Sequence, residues 1–237
     1  MIEIEQVSRR NDAGARYMVL CSLPHIERFD RTSRLPIGAE TLAARLALLP
    51  AADARELSLA TSLLGRPGDA MSRPDAAVIA DFERVSRTAG TKGLRDLADF
   101  QLGLRIVVAA LRRRRAGLQR PPAGDRWSMT SLGRHVQRHF DEPDFRLQHV
   151  LPWVPVARRL LDDCKVAECE RLLFGLIWTR LEAMRCADRF GSDALLAYVF
   201  KWDLVDRWLG RNPVSATQTF ETLAQEALGA FSQPFAH

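Results

Sequence analysis

His135 and His139 stand four residues apart. On a helix that spacing sets both imidazoles on one face, within reach of a single metal ion, and Asp141, Asp144 and His149 follow closely enough to complete a site. Against a metal centre, the glutamate of an H-E-x-x-H pattern is missing, because position 136 is Val, and no spacing fixes a third ligand. A polar or helix-capping role is the preferred reading of the pair, so no metal and no cofactor is assigned. The second concentration of chemistry is Arg112-Arg113-Arg114-Arg115. Consecutive residues on a helix point about 100° apart, so the four cannot form one stripe. At a helix C-terminus they interact favourably with the dipole. A solvated helix end, a contact with a protein partner and a contact with nucleic acid are the roles open to the cluster, in that order. Neither a zinc module, an aromatic RNP motif nor helix-turn-helix spacing accompanies it.

Other catalytic patterns are missing. There is no G-x-x-x-x-G-K-[ST] loop, no G-x-G-x-x-G after a strand and no G-x-S-x-G elbow. Asp162-Asp163 falls at an expected helix end, where solvation is the default role. Trp153, Trp178, Trp202 and Trp208 could stack on bases, but their helical spacing favours core or interface packing. Cys21, Cys164, Cys169 and Cys186 form no C-x-x-C pair and read as reduced thiols. The residues on their own predict a protein that is not an enzyme.

These side chains must be positioned by a chain of 237 residues with 47% hydrophobic and 27% charged content, enough for one large domain or two small ones around a core. The longest apolar runs, such as Ile106 to Leu111, are too short to cross a bilayer. The start, Met1-Ile2-Glu3, is acidic where a secretory signal would be basic, so a cytoplasmic location is expected. The 34 basic residues include three lysines, Lys92, Lys165 and Lys201, leaving 31 arginines. A net charge of +5 permits an acidic partner, whether protein, nucleic acid or an anionic membrane surface.

Residues 1–16 mix charge with Asn11, Asp12 and Gly14 and read as a flexible leader. Tyr17 to Cys21 is short and apolar, which suits a short extended segment near 17–23 or one end of a helix. Leu42, Leu46 and Leu49 begin the helical signals, followed by a segment over 53–64. Ser72-Arg73-Pro74-Asp75 offers a cap for a helix carrying Val78, Phe82 and Val85. The strongest pattern covers 94–116, where Leu97, Phe100, Leu104, Val107, Val108 and Leu111 share a face. Pro121-Pro122 then breaks the chain. Beyond it, helices are expected over 129–140, 154–163, 166–189, 192–211 and 214–230. With no alternating strand pair, the fold class is all-α, built as a helical lobe over 17–120 and a second over 121–237.

Three stretches carry a family likeness: Tyr17-Met18-Val19-Leu20-Cys21-Ser22-Leu23-Pro24; Phe100 to Arg105 running into Leu111-Arg112-Arg113; and Leu196 to Trp208. Together they resemble an uncharacterised bacterial family encoded beside V/A-type ATPase subunits and similar to the funnel subunit of that machine, the all-α socket that sits on the membrane rotor ring and receives the central stalk. The resemblance implies an all-α adaptor without catalysis, linking the central stalk to the rotor ring in proton or sodium transport. Such a protein would sit peripherally at the cytoplasmic face of the inner membrane. It also implies that Arg105, Arg112, Arg113, Lys201 and Arg207 face stalk and rotor-ring subunits. The funnel has three lobes where this chain has material for about two, and Ile106 and Val107 stand where family helices often carry Asn. An assembly factor is therefore the variant of the same reading. A basic helical nucleic-acid-binding module is the alternative from another class, and a metal-dependent enzyme comes third. Metal analysis separates the last of these: stoichiometric zinc, lost from a His135→Ala, His139→Ala double variant, would put the enzyme first, and zinc-free protein is expected.

Overall fold

The computed structural model describes residues 2–64, 75–120, 130–187 and 189–211. Among the described residues there are nine α-helices and no strand. They are α1 (Ile2–Ser22), α2 (Ala39–Leu46), α3 (Ala51–Leu64), α4 (Asp75–Thr88), α5 (Lys92–Arg115), α6 (Ser131–Arg138), α7 (Trp153–Asp162), α8 (Val166–Ala187) and α9 (Ser192–Arg211). No helix is long and apolar enough to cross a membrane among the described residues.

The all-α expectation holds, with one local correction. No extended segment is found near 17–23; α1 covers residues 2–22, the expected leader included. Glu, Gln, Arg and Ala dominate residues 2–16, and such residues support a helix without needing an apolar stripe. The Tyr17–Cys21 run prolongs that helix, and Ser22 Oγ donates to Val19 O at 2.7 Å in its last turn. The expected cap at 72–74, the Pro121-Pro122 break, Trp127 and the helix over 214–230 lie outside the described residues.

The chain groups into two compact units, and their limits are not those expected from Pro121-Pro122. One unit contains the described residues up to Leu49 together with those from Tyr198 onward; the other is Pro50–Ala197. The reason lies in α5. It packs against α4 on one side of the proline pair and against α6, α7 and α8 on the other. Helices from both expected lobes therefore share one core.

In the Pro50–Ala197 unit, α5 buries Leu94, Leu97, Ala98, Leu102, Leu104, Ile106, Val107, Val108, Ala110 and Leu111. These residues point to more than one side, as expected of a central helix rather than an amphipathic one. Gly103 admits α6 closely: a Cβ there would lie 3.1 Å from Leu132 Cδ2. The N-terminus of α5 is held by three side chains. Thr91 caps it, accepting from Leu94 N at 3.2 Å. Glu56 of α3 accepts from Gly90 N and Thr91 N, each at 3.0 Å. The Asp193 carboxylate of α9 lies against Gly93, where negative charge is favoured by the unpaired amides of the first turn. Nearby, buried Asp53 accepts from Ser192 Oγ at 2.7 Å.

The other unit has its own small core of Val19, Ile26, Phe29, Ile37, Leu42, Leu49, Val199, Phe200, Leu204 and Val205. Trp202 Nε1 donates to Ile37 O at 2.8 Å, and Phe29 meets the edge of Trp208 with ring centroids 4.9 Å apart. Arg45 donates to the Ser22 carbonyl, tying α2 to the end of α1.

The close approach at Gly93 is testable, since a Cβ there would fall 2.2 Å from Asp193 Oδ2. Gly93→Ala should destabilise the protein by about 1–3 kcal/mol through overpacking, although Ala is the better helix former. In an Asp193→Ala background the same change should cost much less. Urea unfolding of the four proteins in the double-mutant cycle checks this, and additive effects would contradict the packing account.

Candidate interaction site

The arginine tetrad at the end of α5 does not act as one block. Arg113 Nε donates to Gln119 O at 2.6 Å and folds the following turn back on the helix. Arg114 donates to the Glu142 carbonyl in the segment after α6. Arg115 reaches Cys164, with a guanidinium nitrogen 3.0 Å from Sγ, in the turn that follows α7. Arg112 is exposed and its side chain makes no ion pair or hydrogen bond among the described residues. Its charge is felt by buried Cys169, whose thiol is pushed up by burial and pulled back by Arg112. Farther along the helix, Arg105 is exposed with its guanidinium 5.7 Å from the ring centroid of Phe82, a cation–π contact.

The turns around this helix end are fixed by left-handed backbone. Gly117 has φ +68°, and Leu118 N bonds Arg113 O at 3.1 Å. Cys164 has φ +58°, and Lys165 N bonds Leu160 O at 2.8 Å. Both are helix stops in which an αL residue satisfies carbonyls of the last turn.

His135 and His139 lie beside this region with ring centroids 4.6 Å apart. His135 Nε2 meets Phe145 O at 2.9 Å, and since a carbonyl only accepts, that nitrogen carries the proton. His139 Nδ1 likewise donates to Glu142 Oε1 at 3.3 Å. Asp144 accepts from Arg158 Nε at 2.8 Å, Asp141 pairs with Arg120, and His149 is exposed. A hydrogen bond from Arg146 is the main reason that Glu142 stays below the usual carboxylate range; the bond from His139 adds to it and burial opposes it. The side chains that suggested metal thus hold the turn over 139–147, whose Phe145 and Arg146 have φ of 53° and 56°. No group of three or more potential ligands comes together among the described residues.

The two remaining expected contacts, on α9, are in a different setting. Lys201 is 4% exposed, within a run that also buries Val199, Phe200, Leu204 and Val205. Arg207 pairs with Asp203 at 2.8 Å. The structure therefore brings Arg112 and Arg113 together on one helix end, with Arg105 farther along the same helix, while Lys201 lies in the interior of its own unit. Sequence reasoning missed Leu118, Lys165 and Val166, all exposed in or beside the two helix-stop turns. The Gly after the arginines and the Cys-Lys-Val after Asp162-Asp163 were the available signals.

A family model described as a protein of unknown function, DUF2764, matches residues 61–226. No curated protein and no solved structure matches the chain.

Asp203 supplies a pH test. Burial pushes its carboxyl up to about 6, with Arg207 opposing and Asp206 adding to the rise. A carboxyl raised in the folded state contributes stability that is full below its ordinary value of 3.8 and is lost as pH climbs through about 6. The size of the rise corresponds to roughly 3 kcal/mol. Asp203→Asn should therefore gain stability relative to the parent protein between pH 4 and pH 7, by an amount of that order. Denaturant unfolding of both proteins at the two pH values measures it; an unchanged difference would place the titration elsewhere.

Proposed function

We propose that this chain, which belongs to the DUF2764 family, is a non-catalytic helical adaptor of a V/A-type ATPase, joining central-stalk to rotor-ring subunits from the cytoplasmic side of the membrane. The support is the likeness of three sequence stretches to an uncharacterised bacterial family encoded beside V/A-type ATPase subunits and similar to the ATPase funnel; those at 100–113 and 196–208 fall inside the family match and that at 17–24 lies before it. Most residues of the two inner stretches are buried on α5 and α9 and carry the fold. The observation that carries the contact reading is Arg112. Its flanking arginines are spent on the protein's own turns, whereas its guanidinium is exposed for an outside carboxylate, which arginine binds through two parallel hydrogen bonds. Arg105 extends the same helix toward such a partner. Lys201 serves the interior of its own unit in this reading and Arg207 pairs with Asp203, so changes there weaken folding before they weaken binding.

The test is a pull-down with cognate stalk and ring subunits, run beside a DNA and RNA titration at two salt concentrations. Arg105→Glu with Arg112→Glu should reduce capture of ATPase subunits about tenfold or more while leaving the helical circular dichroism unchanged, because charge complementarity at an exposed rim acts on association rather than folding. Failure to capture any part of the ATPase, together with nucleic-acid affinity that falls steeply with salt, would overturn the adaptor in favour of a nucleic-acid module.

A further inference from the structure

The end of α5 offers more than charge. Leu118 is 53% exposed and Val166 is 55% exposed, and each lies in or next to one of the two helix-stop turns. The contact of Arg115 with Cys164 sets those turns side by side. The same helix end and turns carry exposed Arg112 and Lys165, with Arg115 held on Cys164 and Arg120 paired to Asp141. Asp163 is exposed at the same edge, and Asp162 is turned toward Arg158 at 3.4 Å. The backbone beneath is pinned by Leu118 N to Arg113 O and by Lys165 N to Leu160 O, so little ordering would be required on binding.

We infer that the α5 end, with the turns at 116–120 and 162–166, is a docking surface for an acidic amphipathic helix of a partner protein. The match is one of chemistry. Such a helix presents leucine-like side chains at i, i+3 or i+4 and i+7, which cover Leu118 and Val166, and places glutamates on either side, which meet Arg112 and Lys165. A phosphate backbone would pair with the cations but leave the two apolar side chains uncovered. The inference rests on the adaptor reading for the presence of a protein partner, and adds what that partner shows to this helix end.

The probe is a fluorescent synthetic helix of about four turns, with Leu on one face and Glu on its flanks, titrated against the full chain by anisotropy. Two control peptides replace Glu by Gln or Leu by Ser, and a duplex DNA of similar charge is the competitor. The acidic amphipathic peptide should bind at least tenfold more tightly than either control. Arg112→Glu with Lys165→Glu, and separately Leu118→Ser with Val166→Ser, should each weaken it about tenfold; these four side chains are exposed, so the melting temperatures should match that of the parent. Equal binding of all three peptides, full affinity in both variants, or preference for the duplex would overturn the surface. The same variants in the pull-down with ATPase subunits separate the two ideas. Peptide binding with nothing captured from the ATPase sinks the ATPase reading and keeps the surface, whereas undiminished capture by both variants keeps the reading and sinks the surface.

Discussion

One helix, α5, is packed on several sides while leaving Lys92, Arg95, Asp99, Arg105, Arg112 and Arg115 exposed, and its two ends must be satisfied by side chains rather than by water alone. The first turn has amides without intrahelical partners; Thr91 accepts from Leu94 N, Glu56 of α3 accepts from Thr91 N, and the Asp193 carboxylate of α9 lies beside Gly93. The last turn has carbonyls without donors. There the helix-stop at Gly117 supplies amides, and Arg113 to Arg115 reach outward to carbonyl and sulfur acceptors of neighbouring turns. Acid at one end and arginine at the other complement the dipole, each exposed charge contributing about 0.3–1 kcal/mol. The larger gain is positional. Because α4, α6, α7 and α8 all rest on α5, fixing its ends fixes where every surrounding turn falls.

The turn over 139–147 shows how local strain is offset. Two successive non-glycine residues in the left-handed region cost roughly 1–2 kcal/mol each. Burying Phe145 completely, against Phe140, returns about 1.5–3 kcal/mol. The hydrogen bonds from His135 and Arg114 to the carbonyls of Phe145 and Glu142 add about 0.5–1.5 kcal/mol apiece. The terms are of similar size, so the conformation depends on all of them together. The ring N–H of His135 supplies the donor that the Phe145 carbonyl accepts.

Most helices were legible in the sequence because their apolar spacing and their stops are local properties. The segment over 192–211 and the one over 94–116 lie within two residues of α9 and α5. What failed depends on information that is not local. Residues 2–16 have no stripe, so periodicity was silent, although their composition favours a helix. The grouping into units is set by which helices share α5, and a proline pair in the chain does not report that. At the candidate site, the preference for a polar role at His135 and His139 agrees with their bonds, whereas Lys201, named as a partner contact from the family likeness, is buried. Its neighbours Phe200, Leu204 and Val205 leave that part of α9 little polar face, which was the readable warning. Leu118 and Val166 lie 48 residues apart in sequence, and the turns that carry them are linked by Arg115 and Cys164, whose own separation is 49.

The unit formed by residues up to Leu49 and from Tyr198 onward is discontinuous, and this orders events during synthesis. The bond from Trp202 to Ile37 spans 165 residues, and that from Ser192 to Asp53 spans 139. As the chain leaves the ribosome, α1 and α2 emerge well before α9 and must wait, with Val19, Phe29 and Ile37 uncovered, until it arrives. The contiguous stretch from Pro50 can settle most of its core in the meantime. Long-range closure of this kind is slow and leaves apolar surface open to other chains. Nascent protein therefore has a long interval in which apolar side chains of the first 49 residues await their partners, and the emergence of α9 is what ends it.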